Sequence, residues 1–306
     1  MRILIVRLGA MGDVIHALPA AAALRRRFPK AHIAWVIEPR WAALLEGNPF
    51  VDEIVTLNRK QWGSVSAAWK RLRAERFDVA YDFQGLIKSA VTAAASGAET
   101  IVGYDRTMVR EWPATLFYTE TVRSESAHIV DQHLELAGAK GGPAVFALPG
   151  GSREGSLPAG EFVLCSPIAG WPAKEWPLAR YAELASLLSM PLVLNGHAAV
   201  EARLRSVAGC FVHVSSVAGL IDATRRARAV IGVDSGPLHL AAALGKPGVA
   251  IYGPTDPCRN GPYGGSIRVL RDAGAVTSYK RRETVDESMM AVTAAMVARE
   301  LEVALQ

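Results

Sequence analysis

Short Val- and Ile-rich runs alternate along this chain with longer stretches in which apolar residues recur at i, i+3, i+4 and i+7. A strand buried on both faces reads as an unbroken apolar run, and an amphipathic helix reads with a period near 3.6. Their alternation is the βαβ signature of parallel sheets. The pattern predicts strands at Ile3–Val6, Ile33–Ile37, Ile54–Leu57 and Val79–Asp82, with a helix over Val14–Phe28. A second helix is carried by Val65, Ala68, Trp69 and Leu72, which sets Lys70, Arg71 and Arg73 on or beside its exposed face.

The pattern then stops. Gly141-Gly142-Pro143 and the Gly/Ser/Pro-rich run from Pro149 to Pro158 hold no apolar period and read as a linker. It restarts with strands at Phe162–Ser166, Leu192–Leu194, Val212–Val214, Val230–Val233 and Val249–Ile251. Helices fall between them at Leu178–Leu188, Val200–Val207, Leu220–Arg228 and Leu238–Leu244, and one long amphipathic helix is expected over Glu287–Leu305. Two α/β halves joined by one linker imply a cleft between them, lined by loops at the carboxyl ends of the strands.

Composition narrows this picture. At 306 residues, with 50% hydrophobic and 21% charged side chains, the chain has the make-up of two globular domains and not of a disordered or fibrous protein. Mean hydropathy is +0.17, yet no apolar run approaches the roughly 20 residues a membrane span needs. The opening run is interrupted by Arg7 and followed by a glycine turn, so a first strand is expected there and not a signal peptide. Cys165, Cys210 and Cys258 stand far apart with no C-x-x-C pair, which supports neither a disulfide framework nor a zinc site and fits a reducing cytoplasm. The net charge of +5 is mild, but residues 59–76 hold Arg59, Lys60, Lys70, Arg71, Arg73 and Arg76 against Glu75 alone. Such a run is either a solvated helix face or a surface that meets an anionic partner.

Four loops carry candidate chemistry. Gly9-Ala10-Met11-Gly12-Asp13 follows the first strand and opens the first helix. A nicotinamide cofactor would use such a turn, with Glu38 as the ribose acid. The G-x-G-x-x-G spacing is absent, however, and Asp13 would oppose a pyrophosphate. Asp13 therefore reads either as a first-turn acid complementing the helix dipole or as a general base, with His16 one turn further along. Asp234-Ser235-Gly236-Pro237 joins a strand to a helix, where Asp234 or Ser235 can cap and the amides of Ser235 and Gly236 offer an anion site, with His239 on the first turn. Gly170-Trp171-Pro172-Ala173-Lys174 places one lysine between Trp171 and Trp176, within reach of a phosphate or simply at the surface. Tyr252–Pro257, which contains Thr255, is a polar loop that turn-building explains equally well. No P-loop, H-E-x-x-H, G-x-S-x-G or nucleic-acid motif occurs, and no acids show metal-ligand spacing.

Taken in order, ILIVRLGAMGDVIHALPA, FDVAYDFQGLIKSA, REWPATLFY, PAKEWP, GVDSGPLHLAAALGKP and IYGPTDP span almost the whole chain. Together they resemble the lipopolysaccharide heptosyltransferases of glycosyltransferase family 9, nearest to the members that add the first heptose. The resemblance implies an α/β GT-B fold, with two Rossmann-like domains whose parallel sheets face a central cleft. It implies an acceptor domain over 1–148, a linker over 149–160, an ADP-sugar domain over 161–285, and a C-terminal helix over 286–306 able to pack back on the first domain. The reaction implied is inverting transfer of L-glycero-D-manno-heptose from ADP-heptose to the Kdo residue of Kdo-lipid A. Neither metal nor cofactor is implied, and the enzyme would be cytoplasmic and peripheral on the inner face of the inner membrane. Carried over by position, Asp13 resembles the catalytic base and Lys174 the lysine that balances the leaving diphosphate. Asp234, Ser235, Gly236, His239, Gly170, Glu201 and Thr255 resemble donor contacts. Gly12, His16, Arg59, Lys60, Lys88 and Arg110 resemble acceptor contacts. The chain departs from the family pattern in having Ala10 and Ala169-Gly170 where hydroxyl residues are usual, and Val200 about where an acid commonly holds the ribose, with Glu201 beside it. Alternatives are a second-heptose or other nucleotide-sugar transferase and, from another class, a nicotinamide-dependent dehydrogenase.

Overall fold

The protein is described by a computed structural model covering residues 1–278 and 280–306. It divides into two compact units, Met1–Pro149 and Gly150–Gln306.

The first unit runs β1 (Arg2–Val6), α1 (Met11–Arg27), β2 (His32–Ile37), β3 (Glu53–Thr56), α2 (Trp62–Glu75), β4 (Val79–Asp82), α3 (Ile87–Ala95), β5 (Thr100–Tyr104), β6 (Glu120–Val122) and α4 (Ile129–Leu136). Its strands pair in parallel in the order β3-β2-β1-β4-β5-β6. Leu4, Val6, Ala34, Val36, Val55 and Ala80 fill one face together with Ala68 and Leu72 of α2. The other face is covered by α1, which packs on α4 and is buried from Met11 to Leu24 except at Asp13. That explains why α1 is Ala-rich and lacks a polar stripe: it is sandwiched, so small residues let it approach the sheet.

The second unit runs β7 (Val163–Ser166), α5 (Leu178–Leu187), β8 (Leu192–Gly196), α6 (Glu201–Arg205), β9 (Phe211–Val214), α7 (Val217–Arg226), β10 (Ala229–Val233), α8 (Gly236–Ala243), β11 (Gly248–Tyr252), α9 (Pro257–Asn260), β12 (Ile267–Arg271), α10 (Glu287–Ala291) and α11 (Ala294–Leu305). Its strands are parallel in the order β12-β11-β10-β7-β8-β9. Counted within each unit, both sheets follow 3-2-1-4-5-6, the order of dinucleotide-binding folds. The order reverses between β1 and β4 in one unit and between β7 and β10 in the other. Loops leaving the carboxyl ends there diverge and open space for a ligand.

Two expectations are corrected. The tail is not one helix: the chain leaves helical geometry at Val292 and Thr293 caps α11 by accepting from the Met296 amide. Buried Trp176 holds the break open, its Nε1 donating to the Val292 carbonyl at 2.8 Å. Within the second unit α11 lies against α5, β11 and β12. The stretch read as a linker is fixed to the second unit. Ser152 N donates to Ala218 O at 3.1 Å, and the Glu154 carboxylate takes both the amide and the hydroxyl of Ser216 at 2.7 Å. Gly151, at φ +80°, and Gly219 permit the approach: a Cβ on either would lie 2.5–2.6 Å from Ala218 O or Glu154 Oε2.

Candidate active site

In the first unit every candidate follows the carboxyl end of a strand. After β1, Gly9 passes beneath Trp41, whose indole nitrogen would lie 2.7 Å from a Cβ at that position. Helix α1 begins at Met11, three residues before the apolar period suggests, so Gly12 and Asp13 lie inside its first turn. Ala10 occupies the capping position without a side chain that can cap. Asp13 supplies the missing bond from the other side, its Oδ2 accepting the Ala10 amide at 3.0 Å, while Oδ1 meets the Arg7 guanidinium at 2.8 Å. Asp13 thus supplies the reciprocal half of a capping box, and its side chain remains 48% accessible. One carboxylate can do both because each oxygen retains a second lone pair.

Arg7 is not among the candidates that the loop motifs mark, although a charge ending an otherwise apolar strand is the signal that finds it. It is 6% exposed. Its guanidinium donates to Phe83 O at 2.5 Å and its carbonyl accepts from Trp35 Nε1 at 3.1 Å. Phe83 in turn belongs to a loop shaped by Asp82, which is fully buried. Asp82 accepts from Ser89 Oγ at 2.8 Å, Tyr118 OH at 2.7 Å and the Gln84 amide at 2.8 Å. Gln84 closes the circuit by accepting the Leu8 amide at 3.0 Å. Burial raises the Asp82 carboxyl above its usual range against these donors, and burial beside Asp82 likewise raises the Tyr118 phenol. Nothing in the sequence pattern marks this network, because its members are scattered over Asp82, Ser89 and Tyr118.

The remaining first-unit candidates split. Glu38 is buried, and its two carboxylate oxygens are taken by Arg40 at 2.8 Å and by Arg59. These two guanidinium groups account for the burial of Glu38 without a nucleotide. Lys88 lies near Arg59, Arg110, Glu38 and Glu111; burial, Arg59 and Arg110 lower its ammonium, opposed by the two acids. Lys60 and Arg110 are exposed. His16 is buried at 4% exposure and meets the His128 ring edge-on at 5.8 Å, so it belongs to the α1–α4 packing.

In the second unit the candidates line one edge in the strand order β11, β10, β7, β8. Asp234, after β10, is 8% exposed and meets Lys174 Nζ at 2.9 Å and His239 Nε2 at 3.4 Å. Burial alone would raise its carboxyl; the His239 hydrogen bond and the Lys174 charge overcome it and hold Asp234 well below the usual carboxylate range. Lys174 is 8% exposed and sits 4.2 Å above the Trp171 ring, not at the free surface. Its loop is tied down by Glu175, which accepts the Ala169 amide at 3.2 Å and binds Arg203 at 2.5 Å. Asp234 does not cap α8. Ser235 stands at the capping position, but its hydroxyl makes no cap and is buried without a partner. Gly236 opens the helix, whose first amides have no intrahelical acceptors and carry its positive end. Thr255, after β11, is 2% exposed, and its hydroxyl also lacks a partner. Gly170 faces open space, with nothing within 4 Å of the point a Cβ would occupy, so a hydroxyl residue would fit there. Glu201 stands one strand beyond β7 and binds Arg205 at 2.7 Å, outside the Lys174–Asp234–His239 cluster. Among the described residues, no three His, Cys, Asp or Glu side chains converge as a metal site would require.

Residues 65–289 match the family described as glycosyltransferase family 9 (heptosyltransferase). The chain belongs to that family. It is 32% identical over 300 residues to lipopolysaccharide heptosyltransferase 1 of Escherichia coli K12, covering 89% of this chain and 93% of that one. Among solved structures, the E. coli ADP-heptose lipopolysaccharide heptosyltransferase II superposes with a TM-score of 0.82 at 25% identity, covering 100% and 98% of the two chains. The E. coli heptosyltransferase WaaC with ADP gives 0.80 at 27% identity, covering 99% and 100%. This family 9 heptosyltransferase therefore has the GT-B class of fold, with a Rossmann-like sheet in each unit.

Proposed function

We propose that this heptosyltransferase moves L-glycero-D-manno-heptose from ADP-heptose to the Kdo residue of Kdo-lipid A, at the cytoplasmic face of the membrane. The observation that carries the donor half is the Lys174–Asp234–His239 cluster beside the start of α8. A leaving ADP needs cations and amide dipoles at its diphosphate, and Lys174 with the α8 N-terminus supplies both. In this reading Asp234 holds Lys174 until the diphosphate arrives and then contacts the sugar. Ser235 and Thr255 bring buried hydroxyls that lack a partner, which a nucleotide-sugar would satisfy.

For the acceptor half, Asp13 takes the proton of the attacking hydroxyl, and Arg7 orients it. Arg59, Lys60, Lys88 and Arg110 meet the carboxylates and phosphates of the glycolipid. The transition state has oxocarbenium character, so neutralising the leaving group on one side and removing a proton on the other lowers the barrier together. No metal is needed in this scheme; Lys174 and the helix end balance the charge.

The family includes enzymes for both the first and the second heptose, and a competition assay separates them. Kdo-lipid A and its already heptosylated form are offered together with ADP-heptose, and products are resolved by mass. Preferential use of the unheptosylated acceptor is expected; preference for the heptosylated one assigns the second-heptose step.

A further inference from the structure

Three successive strand-to-helix connections of the first unit end in the same pairing of bases with exposed apolar side chains. After β3, Arg59 and Lys60 precede Trp62, which is 74% exposed. After β4, Ile87, at 42%, is followed by Lys88. After β5, Arg106 and Arg110 precede Trp112, Leu116 and Phe117, at 53%, 74% and 37%. Among the described residues, every strongly exposed large apolar side chain of this unit belongs to these connections, apart from Met1 and Val145. Because the strands are parallel, all three connections leave the same edge of the sheet.

These pieces are held close to one another. Glu111 accepts the Ile87 amide at 2.8 Å, which joins the start of α3 to the turn Trp112–Phe117. Lys88 feels the charges of both Arg59 and Arg110. Arg106 stacks on Trp112 at 5.2 Å, and Trp62 rests edge-on against Trp69 at 6.1 Å. Each nearby acid has a partner of its own: Glu38 has Arg40 and Arg59, Asp105 has the amide and hydroxyl of Thr107, and Glu111 has the Ile87 amide.

We infer that this edge of the first unit is an interfacial rim that docks onto an anionic lipid bilayer. Tryptophan and long cationic side chains prefer the headgroup region, where the ring is half-immersed and the charge stays wet. Stable attachment takes two signals, an apolar insertion and a basic patch, and both are present here. Among the described residues no helix is long and apolar enough to cross a membrane. Charge complementarity points to an anionic bilayer, since Arg59, Lys60, Lys88, Arg106 and Arg110 give the rim a basic excess beside its exposed tryptophans. The inference deepens the reading of the first unit as the acceptor half, because the same edge carries Asp13 and would meet a lipid-borne acceptor at its own membrane.

The test needs no sugar substrate, so its failure is separable from failure of that reading. The full chain is floated with neutral phosphatidylcholine vesicles and with vesicles containing about one-third phosphatidylglycerol. Wild type is expected to bind the anionic vesicles and to lose that binding in high salt. Trp62→Ser/Trp112→Ser/Leu116→Ser is expected to lower partition about tenfold or more with its ADP affinity intact, which controls for folding. Arg106→Gln is expected to lower partition about fivefold at low salt. Absence of vesicle binding by wild type, or equal binding by the triple variant, overturns the inference. So does a dimer that the triple variant abolishes while vesicles are ignored, which would assign the face to a second copy of the chain.

Discussion

Replacing Asp234 by Asn keeps the side-chain volume and removes one charge, leaving the Lys174 ammonium buried without its counterion. Both residues are 8% exposed and 2.9 Å apart. Breaking a buried pair by removing one partner costs about 3–5 kcal/mol, because the remaining ion keeps its desolvation penalty. In a unit of this size each kcal/mol moves the melting temperature by about 2–4 °C, so Asp234→Asn should melt about 6–20 °C lower in the absence of nucleotide. Lys174→Met should be milder, since His239 still faces Asp234 at 3.4 Å. The double variant Lys174→Met/Asp234→Asn buries no unpaired ion and should recover more than half of the Asp234→Asn loss, a coupling of at least about 2 kcal/mol. The sign with pH follows from the depressed carboxyl. The stabilisation is complete above the unfolded aspartate value of about 3.9 and is lost as the pH falls toward the native value. The part of the difference between wild type and Asp234→Asn that comes from this carboxyl should therefore disappear only in strong acid. Scanning calorimetry of the four proteins is the assay. An Asp234→Asn variant melting within about 1 °C of wild type, or strictly additive single losses, would refute the reasoning.

Two further outcomes are expected. Tyr118→Phe removes a 2.7 Å donor from fully buried Asp82 and should cost about 1.5–3 kcal/mol by chemical denaturation, where a loss under about 0.5 kcal/mol would contradict the network's role. Charge removal at Arg59 and Lys60 should raise the KM for the glycolipid several-fold and leave ADP affinity unchanged by calorimetry; equal loss of both would count against the acceptor assignment.

The architecture is legible in the sequence because parallel strands buried on both faces are built mainly of apolar residues. Ile3–Val6 and Val79–Asp82 announce themselves for that reason. β5, with Gly103 inside it, and β12, which carries Arg268 and Arg271 at a sheet edge, do not satisfy that condition and give no run. Helix α3 escapes the pattern because alanines provide its buried face, and the break at Val292 because a Trp176 hydrogen bond made from another element sets it. Among the candidate residues, Asp13, Asp234 and Lys174 are marked out by local loop chemistry. That Lys174 is buried against Asp234 is not, since β7 and β10 are neighbours in the sheet but far apart in sequence. Arg7 and Asp82 lie at the same kind of distance: their importance is a pairing that only the fold creates.

The central claim is that Asp13 is the base of a heptosyl transfer from ADP-heptose. Single-turnover heptosylation of Kdo-lipid A by wild type and by Asp13→Asn, with ADP binding measured on both, tests it most directly. Removing a general base should slow the chemical step about 10²–10⁴-fold, and ADP affinity should stay within about twofold. An Asp13→Asn enzyme that turns over at the wild-type rate, or a wild-type enzyme with no transfer from ADP-heptose, would contradict the account.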